Sequence, residues 1–216
     1  ALSASALGIN QLVVIAPILD PVLTGVATKL NPLLRLTHYE GFYTHPVLAR
    51  LFGGCDAIVD LSRYGLATKL LIDKAFHENV PIVRGVCYER DGLGGFRVFT
   101  YLKGREWREL ERIVCPNNLP SPHWDDGVLD TIVAGMVLEE VKNLLMRQPI
   151  SDSLITYERA EPGTVDPDGH ALVVGAGALG TFVGLGLAFS GTRTCTIMDP
   201  DVIESTNLNR QVLFYE

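Results

Sequence analysis

Residues Ala171–Gln211 read ALVVGAGALG, TFVGLGLAFSGTR, TCTIMDPD and VIESTNLNRQ in order, and this stretch decides the fold. The apolar, partly β-branched residues Leu172–Val174 predict a strand that is buried on both faces. A glycine-rich turn then leads into a helix, and Thr194–Met198 predicts a second apolar strand that ends in acid. A strand, a helix and a strand in this order indicate a parallel α/β sheet.

Three glycines shape the turn after the first of these strands. Gly175, Gly177 and Gly180 give the spacing G-x-G-x-x-G. Glycines placed in this way permit positive φ, close approach of the backbone to a phosphate and tight helix–strand packing. The N-terminus of the following helix would direct its N–H groups towards an anion. Asp199 follows the last glycine by about twenty residues, where a carboxylate can accept both ribose hydroxyls. The turn predicts a nucleotide site, with a purely structural glycine turn as the alternative.

A polar segment indicates which kind of nucleotide site this is. Asp199-Pro200-Asp201 is followed by Asn207-Leu208-Asn209-Arg210-Gln211, which is not a usual continuation of a dehydrogenase. The glycine turn, D-x-D and N-x-x-R-Q together closely resemble the ThiF/MoeB/ubiquitin-activating-enzyme (E1) family. The resemblance implies that the glycine turn cradles phosphate and that Asp199 holds the ribose of ATP. It also places Asp201 and Gln211 at the nucleotide.

The same resemblance gives the catalytic positions to Asn207 and Arg210, which would hold the phosphates. An arginine presents a planar fork to phosphate, and its charge stabilises the pentavalent state during adenylation. Without the resemblance, the segment Asn207–Gln211 could instead cap a helix and leave Arg210 on a solvated face.

The implied reaction is the ATP-dependent adenylation of a carboxylate, with ATP and Mg²⁺ as cofactors. The implied partner is a ubiquitin-like or sulfur-carrier protein whose C-terminal carboxylate attacks the α-phosphate. Two other functions remain open. A NAD-dependent Rossmann oxidoreductase would use the same glycine turn and Asp199 but leaves Asn207–Gln211 unexplained. A non-catalytic E1-like scaffold would only dimerise or dock a carrier.

The first 160 residues alternate between predicted strands and helices, which indicates a doubly wound, Rossmann-like, mostly parallel α/β sheet. The predicted strands are Gln11–Ala16, Leu33–Thr37, Ala57–Asp60, Pro81–Val86, Arg97–Leu102 and Leu154–Tyr157. The predicted helices are Val22–Leu30, Pro46–Phe52, Ala67–Phe76 and a long helix with an apolar stripe from Leu129 to Leu145.

The order of these elements resembles the later part of a ThiF-type domain. Three short motifs occur in the order in which that family has them: Asn31-Pro32, the D-x-V-x-D-like run Asp56–Asp60 and the run Pro81–Gly85. The resemblance therefore divides the chain into a degenerate ThiF-like domain (1–160), a linker (161–169) and the start of a second such domain (170–216). The first domain would lack its first strand and glycine loop. A permuted or swapped arrangement, in which residues 170–216 complete the first domain, is the alternative.

The first of these domains departs from the family at its chemical positions. Ala16 stands where the family has the ribose-binding acid, and Arg63 stands where it has an acid that assists Mg²⁺. A guanidinium in place of a carboxylate inverts the local charge. We therefore expect this domain to be inactive, with Asp56 and Asp60 at a strand end rather than in a metal site.

Composition excludes several other classes of function. The chain has 216 residues, is 47% hydrophobic and carries a net charge of −7, which argues against nucleic acid as the main ligand. The apolar stretch from residue 11 to 27 is interrupted by Pro17 and Pro21 and predicts no membrane span or signal peptide. Histidines and cysteines show no metal-ligand spacing, so no protein-bound metal is predicted. The expected setting is the reducing cytoplasm, with Cys55 and Cys195 in the core, and the expected assembly is a homodimer or a pseudo-dimeric tandem.

Overall fold

The computed structural model describes residues 4–5, 7–41, 50–51, 54–62, 65–90, 93–104, 127–158, 168–207 and 211. Its strands are β1 (Gln11–Ala16), β2 (Arg35–Glu40), β3 (Ile58–Asp60), β4 (Ile82–Arg90), β5 (Leu93–Tyr101), β6 (Ile155–Glu158), β7 (His170–Val174) and β8 (Thr194–Met198). Its helices are α1 (Pro21–Leu30), α2 (Gly65–Glu78), α3 (Gly127–Leu145) and α4 (Ala178–Phe189). The predicted helix Pro46–Phe52 lies largely outside the described residues. Within the described helices, none is long and apolar enough to cross a membrane.

The prediction of an α/β fold is confirmed. β1 pairs in parallel with β2, β3 with β4, and β7 with β8. β4–β5 and β5–β6 are antiparallel pairs. The described strands form three hydrogen-bonded sheets, in the orders β1-β2, β3-β4-β5-β6 and β7-β8. The helices between parallel partners are the crossovers that parallel pairing requires.

The chain divides into two compact units. One comprises Ala1–Thr44 with Val165–Glu216, and the other comprises His45–Thr164. We refer to them as the terminal unit and the central unit. The division at residues 160 and 170 that the sequence suggests rests on family resemblance, and it stays a prediction.

The terminal unit contains two strand–helix–strand segments, β1-α1-β2 and β7-α4-β8. Asp20 caps α1, because its carboxylate accepts from the Val22 N–H at 2.8 Å, and Pro21 occupies the first turn, where no N–H partner is needed. Asn31 ends the helix, and its side-chain oxygen accepts from the Leu33 N–H at 3.0 Å. Local sequence therefore sets both ends of α1.

The central unit is built on the mixed sheet β3-β4-β5-β6, against which α3 packs. Most of the apolar stripe predicted for the long helix faces the core, whereas its members Ile132 and Leu145 are exposed. The hydrophobic core between this sheet and α3 consists of Val83, Phe96, Val98, Leu129, Val133, Val137 and Val141. Glu140 lies on the same helix and is buried, where it accepts from the Thr100 hydroxyl at 2.5 Å and from the Ser151 N–H at 3.1 Å.

The strands around the glycine turn are more exposed than their sequence predicts. Burial on both faces is wrong for β7, because Leu172 is 60% and Val174 is 79% exposed. β8 is exposed along its length, and Cys195 lies at the surface instead of in the core. A sheet of two strands against one helix cannot cover both faces of each strand, which explains the exposure.

Candidate functional site

The glycine turn begins where β7 ends. Gly175 has φ of +100°, a conformation that side-chain-bearing residues rarely adopt. Its N–H donates to the Met198 carbonyl oxygen at 2.7 Å, so the turn is fastened to the last residue of β8. The first glycine of the motif is therefore required by backbone geometry.

Gly180 is required for a different reason. A Cβ at this position would lie 1.7 Å from the carbonyl oxygen of Gly175 and 2.8 Å from its carbonyl carbon. Both are backbone atoms of the turn and cannot rotate away as a side chain would. The third glycine lets the first turn of α4 pack directly on the glycine turn, which is the helix–strand packing that the sequence predicts.

Gly177 has no such structural reason. It is the N-cap residue of α4, with φ of −64°, and a Cβ built on it would meet no atom within 4 Å. Among the described residues, no side chain caps the first N–H groups of this helix. Free space at the Cβ position of Gly177, together with the positive end of a twelve-residue helix, fits an anionic ligand such as a phosphate.

Asp199 joins the two strand ends at this site. Its Oδ2 accepts from the Ala176 N–H of the glycine turn at 2.5 Å, and its Oδ1 accepts from the Asp201 N–H at 2.9 Å. These N–H groups, that of Asp201 first, hold the pKa of the Asp199 carboxyl below its ordinary value. The carboxylate is exposed and each oxygen has a further lone pair, so it can also accept from ribose hydroxyls.

The segment after β8 forms a short 3₁₀ turn over Ser205–Asn207. The Asn207 Oδ1 accepts from the Glu204 N–H at 2.8 Å, and the Asn207 N–H returns a bond to the Glu204 carbonyl at 2.8 Å. The Gln211 N–H donates to the Asn207 carbonyl at 2.9 Å. Because Oδ1 is engaged, the side chain of Asn207 has its NH₂ donors left for a ligand. Arg210, the other predicted catalytic residue, lies outside the described residues.

The structure thus brings together Gly175, Gly177, Gly180 and Asp199 at one end of the β7-β8 sheet. Asp201 is exposed, and it contacts Asp199 through its backbone N–H. Sequence reasoning missed the bond between Asp199 and Ala176, which couples the predicted ribose acceptor to the predicted phosphate turn. Among the described residues, no three His, Cys, Asp or Glu side chains gather as metal ligands.

The acid predicted at the other strand end is part of a buried ion pair. Asp60 accepts from the Ser62 N–H at 2.9 Å, from the Thr68 hydroxyl at 2.6 Å and from Arg84 Nη1 at 2.6 Å. Both side chains of the Asp60–Arg84 pair are 1% exposed. Sequence reasoning missed Arg84, although an arginine within the apolar run Pro81–Gly85 signals a buried charge that needs a partner.

The C-terminal part of the chain is similar in sequence to known proteins. Residues 168–216 match the ThiF family. A NEDD8-activating enzyme E1 catalytic subunit from Caenorhabditis elegans is 53% identical over 45 residues, which cover 21% of this chain and 10% of that protein. The corresponding subunit from Arabidopsis thaliana is 56% identical over 43 residues, which cover 20% of this chain and 10% of that protein. The chain thus spans about a tenth of the length of these relatives.

Solved structures of similar shape include Escherichia coli MccB with ATP, at a TM-score of 0.49 and 12% identity over 73% of this chain and 58% of that chain. PaaA has a TM-score of 0.49 and 13% identity over 73% of this chain and 59% of that chain. The sequence matches confirm the ThiF/E1 resemblance in the segment that carries the glycine turn.

Proposed function

We propose, starting from the ThiF-family match of residues 168–216, that the chain takes part in ATP-dependent adenylation of a protein carboxylate. The observation that supports this most is the uncapped N-terminus of α4, with open space at Gly177. Asp199 accepts a hydrogen bond from the same turn, so an acceptor for ribose and donors for phosphate belong to one strand–helix–strand segment.

Each residue at the turn has a separate task in this proposal. Gly177 leaves room for a phosphate, and the first N–H groups of α4 bind its oxygens. Asp199 accepts from the ribose hydroxyls with its remaining lone pairs. Asn207 donates its NH₂ group to phosphate oxygens, and Arg210 would place its guanidinium on the charge that develops during transfer.

The reaction follows from the chemistry of a mixed anhydride. A carboxylate oxygen of the substrate bonds to the α-phosphorus, the bond to the bridging oxygen breaks, and pyrophosphate leaves with that oxygen and its electron pair. Mg²⁺ bound to the phosphates would neutralise part of their charge. The chain holds the nucleotide in position for in-line attack, which is the entropic part of the catalysis.

The proposed partner is a ubiquitin-like or sulfur-carrier protein with its C-terminal carboxylate as the nucleophile. The curated relatives are NEDD8-activating enzyme E1 catalytic subunits, which supports a protein as substrate. We place the reaction in the cytoplasm and expect a dimer or a tandem of related domains to carry it.

Calorimetric titration with ATP and with NAD⁺ separates the possible functions. We expect ATP·Mg²⁺ to bind and NAD⁺ to bind at least about tenfold more weakly, because Asn207 and Arg210 would hold the third phosphate of ATP, which NAD⁺ lacks. Tighter binding of NAD⁺ would favour an oxidoreductase. Binding of neither nucleotide would favour a scaffold, and either result would overturn the proposal.

Gly177→Ser tests the phosphate position with opposite effects on folding and binding. Serine is a good N-cap residue, so the variant should be as stable as the wild type or a few tenths of a kcal/mol more stable. Its hydroxyl would occupy the space of the phosphate, so we expect ATP to bind at least about tenfold more weakly. Thermal denaturation and calorimetry measure the two effects. Unchanged ATP affinity in a folded variant would exclude Gly177 from the site.

The lowered pKa of Asp199 predicts how the turn responds to acid. A group with a depressed folded-state pKa contributes stability above its unfolded value, and that contribution is lost as the pH falls through the folded value. The hydrogen bond from the Ala176 N–H to the Asp199 carboxylate should therefore persist at and above pH 3.8, the ordinary pKa of an aspartate, and be lost only below it. NMR of the Ala176 amide against pH measures this, with Asp199→Asn as the control that should show no titration step. A step above pH 3.8 would contradict the anchoring role.

A further inference from the structure

The central unit has a cluster of polar groups at the end of β3. Arg84 is 1% exposed, and its Nη1 donates to Asp60 Oδ2 and, at 3.1 Å, to the Ser62 carbonyl oxygen. The remaining groups of this arginine, Nε and Nη2, are buried and have no hydrogen-bond partner within the described part of the chain, and the same is true of the Ser62 Oγ. Buried polar groups are almost always paired, so an arginine with two unpaired donor nitrogens calls for an acceptor.

The unpaired atoms have a specific shape. The N–H of Nε and one N–H of Nη2 point in the same direction along one edge of the planar guanidinium, and they form a fork with two parallel donors. A group with two oxygens in one plane, as in a carboxylate or a phosphate, fills this fork with two bonds. A single carbonyl oxygen would leave one of the donors unpaired.

The carboxylate oxygens in this cluster already accept hydrogen bonds. Both oxygens of Asp60 accept hydrogen bonds, from Ser62, Thr68 and Arg84. The charge of Asp60 balances that of Arg84, so the cluster itself is neutral. α2 begins at Gly65, three residues after Ser62, and the positive end of a helix favours an anion close to it.

The cluster lies close to the surface of the central unit. Ser62 is half-buried and the adjacent Leu61 side chain is 58% exposed, so the end of β3 borders solvent. We propose that the side-on fork of Arg84 and the Ser62 hydroxyl bind a small anion that offers two oxygens, a carboxylate or a phosphate group. This site belongs to the central unit and does not depend on the adenylation proposal.

NMR of the arginine Nε–H signals of the full chain tests the site, with inorganic phosphate and acetate as probes and chloride at equal ionic strength as the reference. We expect a saturable shift of the Arg84 signal with phosphate or acetate and none with chloride. A shift with acetate alone identifies a carboxylate ligand, and one with phosphate alone identifies a phosphate. The titrations are repeated in Gly177→Ser, so that phosphate at the glycine turn does not contribute. No shift with either probe, or an equal shift with chloride, would overturn the proposal.

Arg84→Lys keeps a cation beside Asp60 but removes the fork. We expect at least about tenfold weaker binding of the anion, the equivalent of one charge-assisted hydrogen bond, measured by anion-dependent thermal stabilisation. Arg193→Lys is the matched control, because the pair Arg193–Asp168 is exposed, and it should bind as the wild type does. If Arg84→Lys does not fold, Ser62→Ala removes one donor and should weaken binding about threefold. Wild-type affinity in a folded Arg84→Lys or Ser62→Ala variant would overturn the site.

Discussion

Gly180→Ala is expected to destabilise the β7-α4-β8 segment by about 3 kcal/mol and to abolish nucleotide binding. The added Cβ would lie 1.7 Å from the Gly175 carbonyl oxygen, so either the turn or the first turn of α4 must move. Movement of the turn also breaks the bond between Gly175 and Met198 that fastens it to β8. Hydrogen exchange of the amides in α4, together with calorimetry with ATP, measures both effects.

Gly184→Ala provides the matched control on the same helix. Its Cβ would meet the Ile197 Cδ1 at 3.4 Å, an ordinary van der Waals contact. Alanine is favoured over glycine within a helix by about 1 kcal/mol, so this variant should be as stable as the wild type or more stable. Equal protection of the α4 amides in Gly180→Ala and Gly184→Ala would contradict the packing described for the turn.

Asp60→Ala is expected to destabilise the central unit by about 3–5 kcal/mol. The change leaves the guanidinium of Arg84 buried without its carboxylate and removes one hydrogen bond of the Thr68 hydroxyl. The double variant Asp60→Leu/Arg84→Met removes both charges and should recover most of this loss. Urea unfolding of the single and double variants measures the free energies.

Asp168→Ala is the control for that pair. It removes the partner of Arg193, in a pair whose side chains are 80% and 71% exposed, and should cost no more than about 1 kcal/mol. A loss in Asp60→Ala as small as that in Asp168→Ala would show that the buried pair does not stabilise the central unit.

The site could be predicted from sequence where local rules decide the geometry. The spacing of Gly175, Gly177 and Gly180 fixes the turn, because one glycine adopts positive φ and another permits close packing. The distance in sequence from Gly180 to Asp199 corresponds to one helix and one strand, which brings the carboxylate back to the turn. These are contacts within a single strand–helix–strand segment, and periodicity is informative over that range.

Contacts between residues that are distant in sequence could not be predicted from the sequence. Nothing in the sequence near Asp60 indicates that its partner is Arg84, because the parallel register that places them opposite each other arises from strand pairing. Exposure of Leu172 and Val174 was missed for a related reason, since burial depends on how many strands and helices cover a sheet. The antiparallel pairing of β4 with β5 was also missed, because strand–helix alternation favours parallel pairing.

Carrier-dependent exchange of labelled pyrophosphate into ATP is the most direct test of the adenylation proposal. With a ubiquitin-like or sulfur-carrier protein that ends in a free glycine carboxylate, the chain should catalyse exchange, and Gly177→Ser should reduce it at least about tenfold while remaining folded. The same carrier without its C-terminal glycine should support none. Exchange that is absent with every such carrier although ATP binds, or that is unchanged in Gly177→Ser, would contradict an adenylation site at the glycine turn.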